Sequence, residues 1–287
     1  MPDDRVQPGH APAPAPTGAH PGAHGGAVGG GSLPSPAGGG TWVIDLDGVV
    51  WLAGEPIDGV GPAVQRLRDA GARVLFASNN SSPTIGELRR RLRRAGIEAS
   101  EEEVLTSAQA AASMIEPGRR ALVVGDDGVL EALAARRVEV VTGPPADVVV
   151  VGWTHGFDFG LLTLAEQTVR AGARLIGTNE DPTHPTPDGL LPGAGSLLAA
   201  VATAAGTDPD VAGKPHEPLA RLVADRTDRV AVVVGDRPST DGALAHHLRA
   251  PFALVLSGVT SPEDLPVTPA PDALGADLAA VVDLALR

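Results

Sequence analysis

The 287-residue sequence has 43% hydrophobic and 20% charged residues, proportions that are ordinary for a globular protein with a substantial buried core. It contains no Cys, which excludes disulfides, thiolate nucleophiles and Cys-ligated metal sites. Its formal net charge of −13 and its 2% aromatic content argue against nucleic-acid binding, because polyanions would be repelled and bases would find few stacking partners. A site for a small anionic substrate would therefore need its own positive charge.

Residues 1–40 are expected to form a disordered tail. The stretch is rich in Pro, Gly, Ala and His, and it has too few large apolar side chains to offset the entropy of ordering. It lacks the apolar segment of a signal peptide, and no apolar run in the chain approaches the roughly 20 residues of a membrane span. We therefore expect a cytoplasmic protein that does not bind a membrane.

From Thr41 onward, short apolar runs alternate with segments of helical spacing. The predicted strands are 42–46, 73–77, 121–124, 147–151, 174–176, 230–234 and 252–256, and the predicted helices are 61–70, 84–95, 129–136, 161–171, 195–205 and 218–224. Continuous runs of Val, Ile and Leu are typical of strands covered on both faces, and strand–helix alternation implies a parallel sheet. The predicted fold class is α/β.

Polar clusters follow three of the predicted strands. They are Asp45-Leu46-Asp47-Gly48, Ser78-Asn79-Asn80-Ser81 and Gly235-Asp236-Arg237. In open parallel sheets, ligands bind in a crevice outside the carboxyl ends of the strands. The three clusters are therefore expected to converge on one site.

The first cluster contains two closely spaced carboxylates. Strand alternation places Asp45 and Asp47 on the same side, while Leu46 points into the core. Two carboxylates so close together ionise at a cost unless a cation lies near them. With a divalent metal ion, one can act as an ionised nucleophile while the other carries a proton as a general acid. Taken alone, the segment is also consistent with a helix cap followed by a turn.

The remaining clusters supply complementary groups. Hydroxyl and amide side chains at a helix start, as in residues 78–81, form an anion cradle, although ordinary capping loops use the same residues. Lys214 follows a short extended stretch and would supply positive charge; Pro215 stands where a Walker A motif requires Ser or Thr. Asp236 is suited to ligate a hard ion such as Mg²⁺, and Asp241 to hold Lys214 or a metal-bound water. Taken alone, the segment of Lys214 is also consistent with a surface turn, and that of Asp236 and Asp241 with an ordinary capping loop.

In this order, the segments resemble the haloacid dehalogenase superfamily, and within it the phosphatases of subfamily IIA, which carry a C2-type cap inserted after the second motif. That branch includes bacterial sugar and nucleotide phosphatases, glycerol-3-phosphate phosphatase and pyridoxal phosphate phosphatase. The resemblance runs from Thr41 to the C-terminus and rests on segments 45–51, 78–81, 213–215, 235–237 and 240–241. It implies a Rossmann-like parallel-sheet core formed by residues 41–117 and 208–287, with an α/β cap over 118–207.

The resemblance implies a Mg²⁺-dependent phosphatase that hydrolyses small phosphate monoesters. Asp45 would be the nucleophile that forms an aspartyl-phosphate. Asp47 would protonate the leaving oxygen and then activate water. The carboxylates of Asp45 and Asp236 and the backbone carbonyl of Asp47 would hold Mg²⁺, with Asp241 in support.

Substrate-binding positions also carry over from the resemblance. Ser78, Asn79, Asn80 and Lys214 would bind the transferring phosphoryl group, whose developing charge such a site must stabilise. In the cap, His184 falls where pyridoxal phosphate phosphatases have a similar His-containing segment, and it is a candidate substrate contact. Related capped enzymes often pair through the cap, so a homodimer is a candidate assembly and the oligomeric state stays open.

Several alternatives stay open at this point. Glycerol phosphate, phosphoglycolate, sugar phosphates, nucleotides and pyridoxal phosphate are all candidate substrates. A phosphotransferase or phosphonatase can share the first motif, although a phosphonatase needs a cap lysine. A catalytically silent ligand-binding scaffold is the non-enzyme alternative, and the intact Asp45, Asp47, Lys214 and Asp236 argue against it. A NAD-binding protein is disfavoured because no G-x-G-x-x-G follows the first strand.

Overall fold

The computed structural model describes residues 33–186 and 189–287. Its strands are β1 (Thr41–Ile44), β2 (Trp51–Leu52), β3 (Glu55–Pro56), β4 (Arg73–Ser78), β5 (Val104–Thr106), β6 (Arg120–Val124), β7 (Glu139–Val141), β8 (Val148–Val151), β9 (Arg174–Gly177), β10 (Thr183–Thr186), β11 (Gly189–Pro192), β12 (Asp210–Val211), β13 (Val230–Gly235), β14 (Phe252–Val255) and β15 (Ala273–Gly275). Its α-helices are α1 (Val60–Asp69), α2 (Ile85–Arg94), α3 (Ser107–Ser113), α4 (Asp127–Ala135), α5 (Phe159–Arg170), α6 (Ala194–Ala205), α7 (Glu217–Ala224), α8 (Ala243–His247) and α9 (Leu278–Ala285).

A parallel sheet, here called the core sheet, has the strand order β15-β14-β13-β1-β4-β5. Its central strands are almost entirely buried, with β1 buried at every position. This burial explains their continuous Val and Ile runs, because helices cover both faces of such a sheet. The predicted α/β class with a parallel-sheet core is confirmed.

A second parallel sheet, the inserted sheet, has the order β12-β9-β8-β6-β7 and lies in the chain between α3 and α7. The residues of β8 are all buried, and α5 and α6 cover one face through the apolar side chains of one cluster. The apolar side chains on the other face, together with those of α4, belong to a second hydrophobic cluster. This cluster also contains side chains of α3 and of the core sheet. The small side chains of α3, which are mostly Ala, allow this close packing between the two sheets.

Each predicted strand and helix is present, with bounds shifted by a few residues. Two expected boundaries differ in the structure. The composition predicts a disordered tail that includes residues 33–40, but Leu33 packs into the hydrophobic cluster on one face of the core sheet and Pro36 is buried. The guanidinium of Arg229 donates to the carbonyl of Gly38, which secures this segment further. The rest of the predicted tail, residues 1–32, lies outside the described residues.

The inserted sheet also continues past the expected limit of residue 207. Strand β12 pairs with β9 through Asp210 and Val211, so the chain leaves the inserted sheet only after Val211. Two antiparallel hairpins, β2–β3 and β10–β11, were not predicted, because strands of two to four residues carry too little periodicity.

Within the described residues, none of the helices has both the length and the apolar character needed to cross a bilayer.

Candidate active site

The three polar clusters converge at the carboxyl edge of the core sheet, as predicted. Strand β1 lies between β13 and β4, with Ile44 beside Val234 and Phe76. Asp45 therefore leaves the sheet next to the end of β4, where Ser78 lies, and next to the end of β13, which Asp236 follows. Parallel strands bring these ends together because all of their carboxyl termini point the same way.

A tight turn after β1 separates the two carboxylates of the first cluster. The carbonyl of Leu46 accepts hydrogen bonds from Val50 N–H at 2.8 Å and Trp51 N–H at 3.2 Å, and Gly48 adopts the left-handed region with φ of 85°. Leu46 is fully buried, whereas Asp45 and Asp47 line a common cavity. Asp47 thus lies at the base of the β2–β3 hairpin rather than on the strand itself.

Lys214 lies at the centre of the site. Its Nζ donates to Asp45 Oδ1 at 2.6 Å, to Asp241 Oδ1 at 2.7 Å and to the Ala77 carbonyl at 3.1 Å. Its side chain is only 3% exposed, and it is the single lysine in the sequence. The predicted local positive charge is therefore present, and it lies directly against the candidate nucleophile.

Burial dominates the electrostatics of this cluster. It raises the pKa of Asp45 well above its ordinary value, against the opposing charge of Lys214. The negative charges of Asp241, Asp236 and Asp47 add to the increase. Burial, reinforced by Asp241, also raises the pKa of Asp236 to about 6. Burial alone would lower the pKa of Lys214, but the charges of Asp241 and Asp45 raise it above its ordinary value, so this ammonium stays protonated.

The carboxylates form a candidate metal centre. Asp45, Asp236 and Asp241 are buried, and they offer oxygen atoms that all lie within 4.8 Å of one another. One lysine cannot balance three buried carboxylates, so the site favours an added cation, and an all-oxygen donor set suits a hard ion such as Mg²⁺. Of the three, Asp241 accepts through both carboxylate oxygens, from Lys214 Nζ at 2.7 Å and from Arg237 N–H at 3.1 Å, which leaves Asp45 and Asp236 better placed for a metal ion.

Two glycines make room for the Asp236 carboxylate. A Cβ added at Gly48 or at Gly258 would overlap Asp236 Oδ2. The same oxygen accepts a hydrogen bond from Val259 N–H at 2.6 Å, and Thr260 Oγ1 donates to the Asp236 carbonyl at 2.6 Å. The loop after β14 therefore fixes the orientation of this carboxylate.

Asn79 ties the second cluster to the loop that carries Lys214. Its Oδ1 accepts from Lys214 N–H at 2.7 Å, and its Nδ2 donates to the Lys214 carbonyl at 3.1 Å. Ser107 and Asn179 both donate to the Asn79 carbonyl at 2.6 Å. Asn79 thus holds the backbone of a residue that lies 135 positions away in the sequence.

The other members of the second cluster are placed differently. Ser78 is fully buried, and its Oγ accepts from Asn80 N–H at 3.0 Å. Asn80 lines the cavity together with Asn79, and its Oδ1 accepts from Ser82 N–H at 3.1 Å. The cluster forms a compact turn at the end of β4, adjacent to the carboxylates.

His184 faces the same cavity from the β10–β11 hairpin, which is part of the inserted segment, defined here as the residues between α3 and α7. The cavity has a volume of about 290 Å³ and is lined by residues in the loops that adjoin both sheets, including Asp45, Asp47 and Lys214. The His184 ring lies 5.0 Å from that of Trp153, whose indole N–H donates to the Pro192 carbonyl. Burial lowers the pKa of His184 despite the nearby charge of Asp47. This imidazole is therefore mostly neutral at pH 7.

Two contributors were not identified as site residues from the sequence. The loop 257–260 positions Asp236, and the signal for it was the Ser-Gly pair directly after the predicted strand 252–256. Asp181 lines the cavity; it accepts from Asn79 Nδ2 at 3.0 Å and lies 3.9 Å from the Arg237 guanidinium. No local pattern distinguishes Asp181 from an ordinary turn residue.

The sequence matches that of known proteins. Residues 42–139 match the haloacid dehalogenase-like hydrolase family, and residues 211–281 match a second family of HAD-like hydrolases. The chain is 42% identical over 230 residues to the D-glycerol 3-phosphate phosphatase of Mycobacterium tuberculosis, a match that covers 77% of this chain and 64% of that relative. It is 32% identical over 232 residues to the dihydroxyacetone phosphatase of Corynebacterium glutamicum, covering 78% of this chain and 84% of the relative.

The fold agrees with these matches. A crystal structure of the glycerol phosphate phosphatase of Mycobacterium tuberculosis in complex with magnesium superposes with a TM-score of 0.80 at 38% identity, and the match covers 87% of this chain and 78% of that one. The matched ranges include the first two polar clusters and the segment from Val211 that carries Lys214, Asp236 and Asp241. The chain belongs to the haloacid dehalogenase-like hydrolase family.

Proposed function

We propose that this protein is a Mg²⁺-dependent phosphatase that hydrolyses small phosphate monoesters through an aspartyl-phosphate on Asp45. The observation that carries the proposal is the buried cluster in which Lys214 bridges Asp45 and Asp241 beside Asp236. Such a cluster combines a nucleophile, a fixed cation and hard-ion ligands, which is what phosphoryl transfer requires. The named activities of the matched relatives support the same reaction.

In the proposed mechanism, a carboxylate oxygen of Asp45 attacks phosphorus as the ester P–O bond breaks. Asp47 gives its proton to the leaving oxygen, and the resulting carboxylate then takes a proton from the water that hydrolyses the aspartyl-phosphate. Lys214 orients the phosphoryl oxygens, and Asn79 holds the Lys214 backbone in place for this role. Asp45, Asp236 and the backbone carbonyl of Asp47 would hold Mg²⁺, which supplies positive charge against the buried carboxylates.

The inserted segment would act as the cap that closes over the leaving group. Support comes from the shared cavity, because His184 and Trp153 of this segment line it together with the carboxylates of the core sheet. A cavity of about 290 Å³ suits a small substrate, and the matched relatives are named for glycerol 3-phosphate and dihydroxyacetone activities. We therefore propose three-carbon phosphate esters as the preferred class. A homodimer and a cytoplasmic location stay predictions from the sequence.

A second candidate substrate is pyridoxal phosphate. The observation that favours it is the pair of rings at the cavity, Trp153 and His184, since aromatic faces can stack on a planar heterocycle. Pyridoxal phosphate would contact the two rings, whereas a three-carbon ester is too small to need them. The kcat/KM values of the two esters therefore distinguish the candidates.

The test is phosphate release from a panel containing p-nitrophenyl phosphate, glycerol 3-phosphate, dihydroxyacetone phosphate and pyridoxal phosphate. We expect release that requires Mg²⁺, stops on chelation with EDTA and returns when Mg²⁺ is added back. The highest kcat/KM is expected for a three-carbon ester. Activity that is unchanged in metal-free protein, or no release from any ester, would contradict the proposal.

Gly258→Ala tests the placement of Asp236 in the metal centre. The added methyl group overlaps Asp236 Oδ2, so we expect the Mg²⁺ concentration for half-maximal activity to rise about 10- to 100-fold, as for other changes around a metal ligand. Gly143→Ala is the matched control, because a Cβ there meets no atom within 4 Å. An unchanged Mg²⁺ dependence in Gly258→Ala would remove Asp236 from the metal centre.

A further inference from the structure

The indole of Trp51 makes a hydrogen bond to the proposed acid–base residue. Trp51 Nε1 donates to Asp47 Oδ1 at 3.0 Å. The Trp51 side chain is only 2% exposed and belongs to the hydrophobic cluster on one face of the core sheet. This contact is therefore made from inside the protein, by a ring that the core holds in place.

The backbone around Trp51 restricts the ring further. Trp51 N–H donates to the Leu46 carbonyl at 3.2 Å, and its own carbonyl accepts from Gly48 N–H at 2.7 Å. Trp51 then begins β2, which pairs with β3 through Pro56. Trp51 therefore hydrogen-bonds to the backbone on both sides of Asp47, at Leu46 and at Gly48, as well as to the Asp47 carboxyl group.

The direction of this hydrogen bond has a chemical consequence. An indole nitrogen can only donate, so Asp47 Oδ1 must act as the acceptor. The unprotonated oxygen of a carboxyl group is its stronger acceptor, so the hydrogen bond from the indole favours placing the Asp47 proton on Oδ2. The contact selects which oxygen carries the proton, and it fixes the plane of the carboxyl group.

We propose that Trp51 is a positioning residue that holds Asp47 with its protonated oxygen directed at the leaving group. This inference rests on the proposed phosphatase function. As the bond from Asp45 to phosphorus forms and the ester bond breaks, the leaving oxygen keeps the bonding electron pair and receives the proton from Asp47 Oδ2. Asp47 Oδ2, which has now lost its proton, later accepts a proton from the attacking water.

The test uses two esters whose leaving groups differ in their need for a proton. An alkoxide such as that of glycerol 3-phosphate is a poor leaving group and requires protonation, whereas p-nitrophenolate departs without it. In Trp51→Phe, we expect kcat/KM for glycerol 3-phosphate to fall about tenfold more than kcat/KM for p-nitrophenyl phosphate, the size expected for one hydrogen bond to an ionisable group. Both values are measured on the same preparation, so their ratio does not depend on the folded fraction.

Trp42→Phe is the matched control. Trp42 is also fully buried in the same cluster, and within the described part of the chain its Nε1 has no hydrogen-bond partner. Its replacement removes an indole from the same core without removing a hydrogen bond, so the ratio of the two kcat/KM values is expected to stay at the wild-type value. Trp51→Tyr disturbs the packing about as much as Trp51→Phe but adds a hydroxyl group that can donate to Asp47. We expect it to restore part of the wild-type ratio of the two kcat/KM values.

The outcomes separate this inference from the function on which it rests. If wild-type protein hydrolyses neither ester, the proposed phosphatase function fails. If wild-type protein is active and Trp51→Phe lowers both kcat/KM values equally, as Trp42→Phe does, Trp51 only supports the fold and the positioning role is wrong. A changed ratio in Trp51→Phe alone supports the role.

Discussion

Replacing Asp45 with Asn is expected to abolish turnover of every phosphate ester while leaving the protein folded. The amide cannot form the aspartyl-phosphate, so kcat should fall by about 10⁴-fold or more, as when other nucleophiles are removed. The measurement is steady-state phosphate release at saturating Mg²⁺, together with a search for phosphorylated protein after acid quenching. Turnover at a substantial fraction of the wild-type rate would exclude Asp45 as the nucleophile.

The stability of Asp45→Asn separates lost chemistry from lost structure. A carboxyl group whose pKa is raised by folding binds its proton more tightly in the native state, so the metal-free wild type loses stability as pH rises above the unfolded pKa. Asn does not ionise, so it removes the loss of stability that ionisation of the buried Asp45 carboxyl causes. Its Oδ1 can still accept a hydrogen bond from Lys214. We therefore expect the metal-free variant to be at least as stable as wild type at pH 7 and above, measured by thermal unfolding in EDTA.

Replacing Lys214 with Met is expected to damage both activity and stability. It removes the cation that lies 2.6 Å from Asp45 and 2.7 Å from Asp241, and these carboxylates are then buried without compensation. Breaking a buried ion pair from one side costs about 3–5 kcal/mol of stability. The loss of a fixed charge at the transferring phosphoryl group should lower kcat by about 10³-fold.

Two further variants test whether the effects of Lys214→Met come from the loss of its charge in the buried cluster. In the double variant Lys214→Met with Asp241→Asn, one excess buried charge is removed, so stability should recover in part while activity should not. Arg221→Met is the surface control, because its partner Glu217 and Arg221 itself are 75% and 69% exposed, and exposed pairs contribute little. A Lys214→Met protein as stable and active as this control would remove Lys214 from the site.

The sequence was sufficient to predict how the candidate site is assembled. Buried parallel strands need continuous apolar runs, so their positions and their carboxyl ends can be located from residue type alone. Because those ends share one edge of the sheet, Asp45, Ser78 and Asp236 could be placed together without coordinates. The acidic charge of the chain indicates that an anionic substrate needs a local cation, and the family resemblance assigns that role to Lys214.

Contacts between distant segments could not be predicted in the same way. The bond from Asn79 to the Lys214 backbone spans 135 positions, and the bond from Val259 N–H to Asp236 depends on a loop after another strand. Neither leaves a periodic signal, because each is a single hydrogen bond fixed by tertiary packing. Residues 33–40 were misassigned for a related reason: their Pro- and Gly-rich composition hides the one large apolar side chain, Leu33, that anchors them.

The solitary lysine also gives the protein an unusual chemical surface. Because Lys214 is the single lysine and is 3% exposed, the cationic side chains displayed to solvent are guanidinium and imidazole groups. Besides the N-terminal amine, reagents that acylate amines have only this side chain to modify, and its ion pairs keep it buried and protonated. Acylation of Lys214 would therefore report the loss of its ion pairs with Asp45 and Asp241, read from the mass of the peptide that contains residue 214.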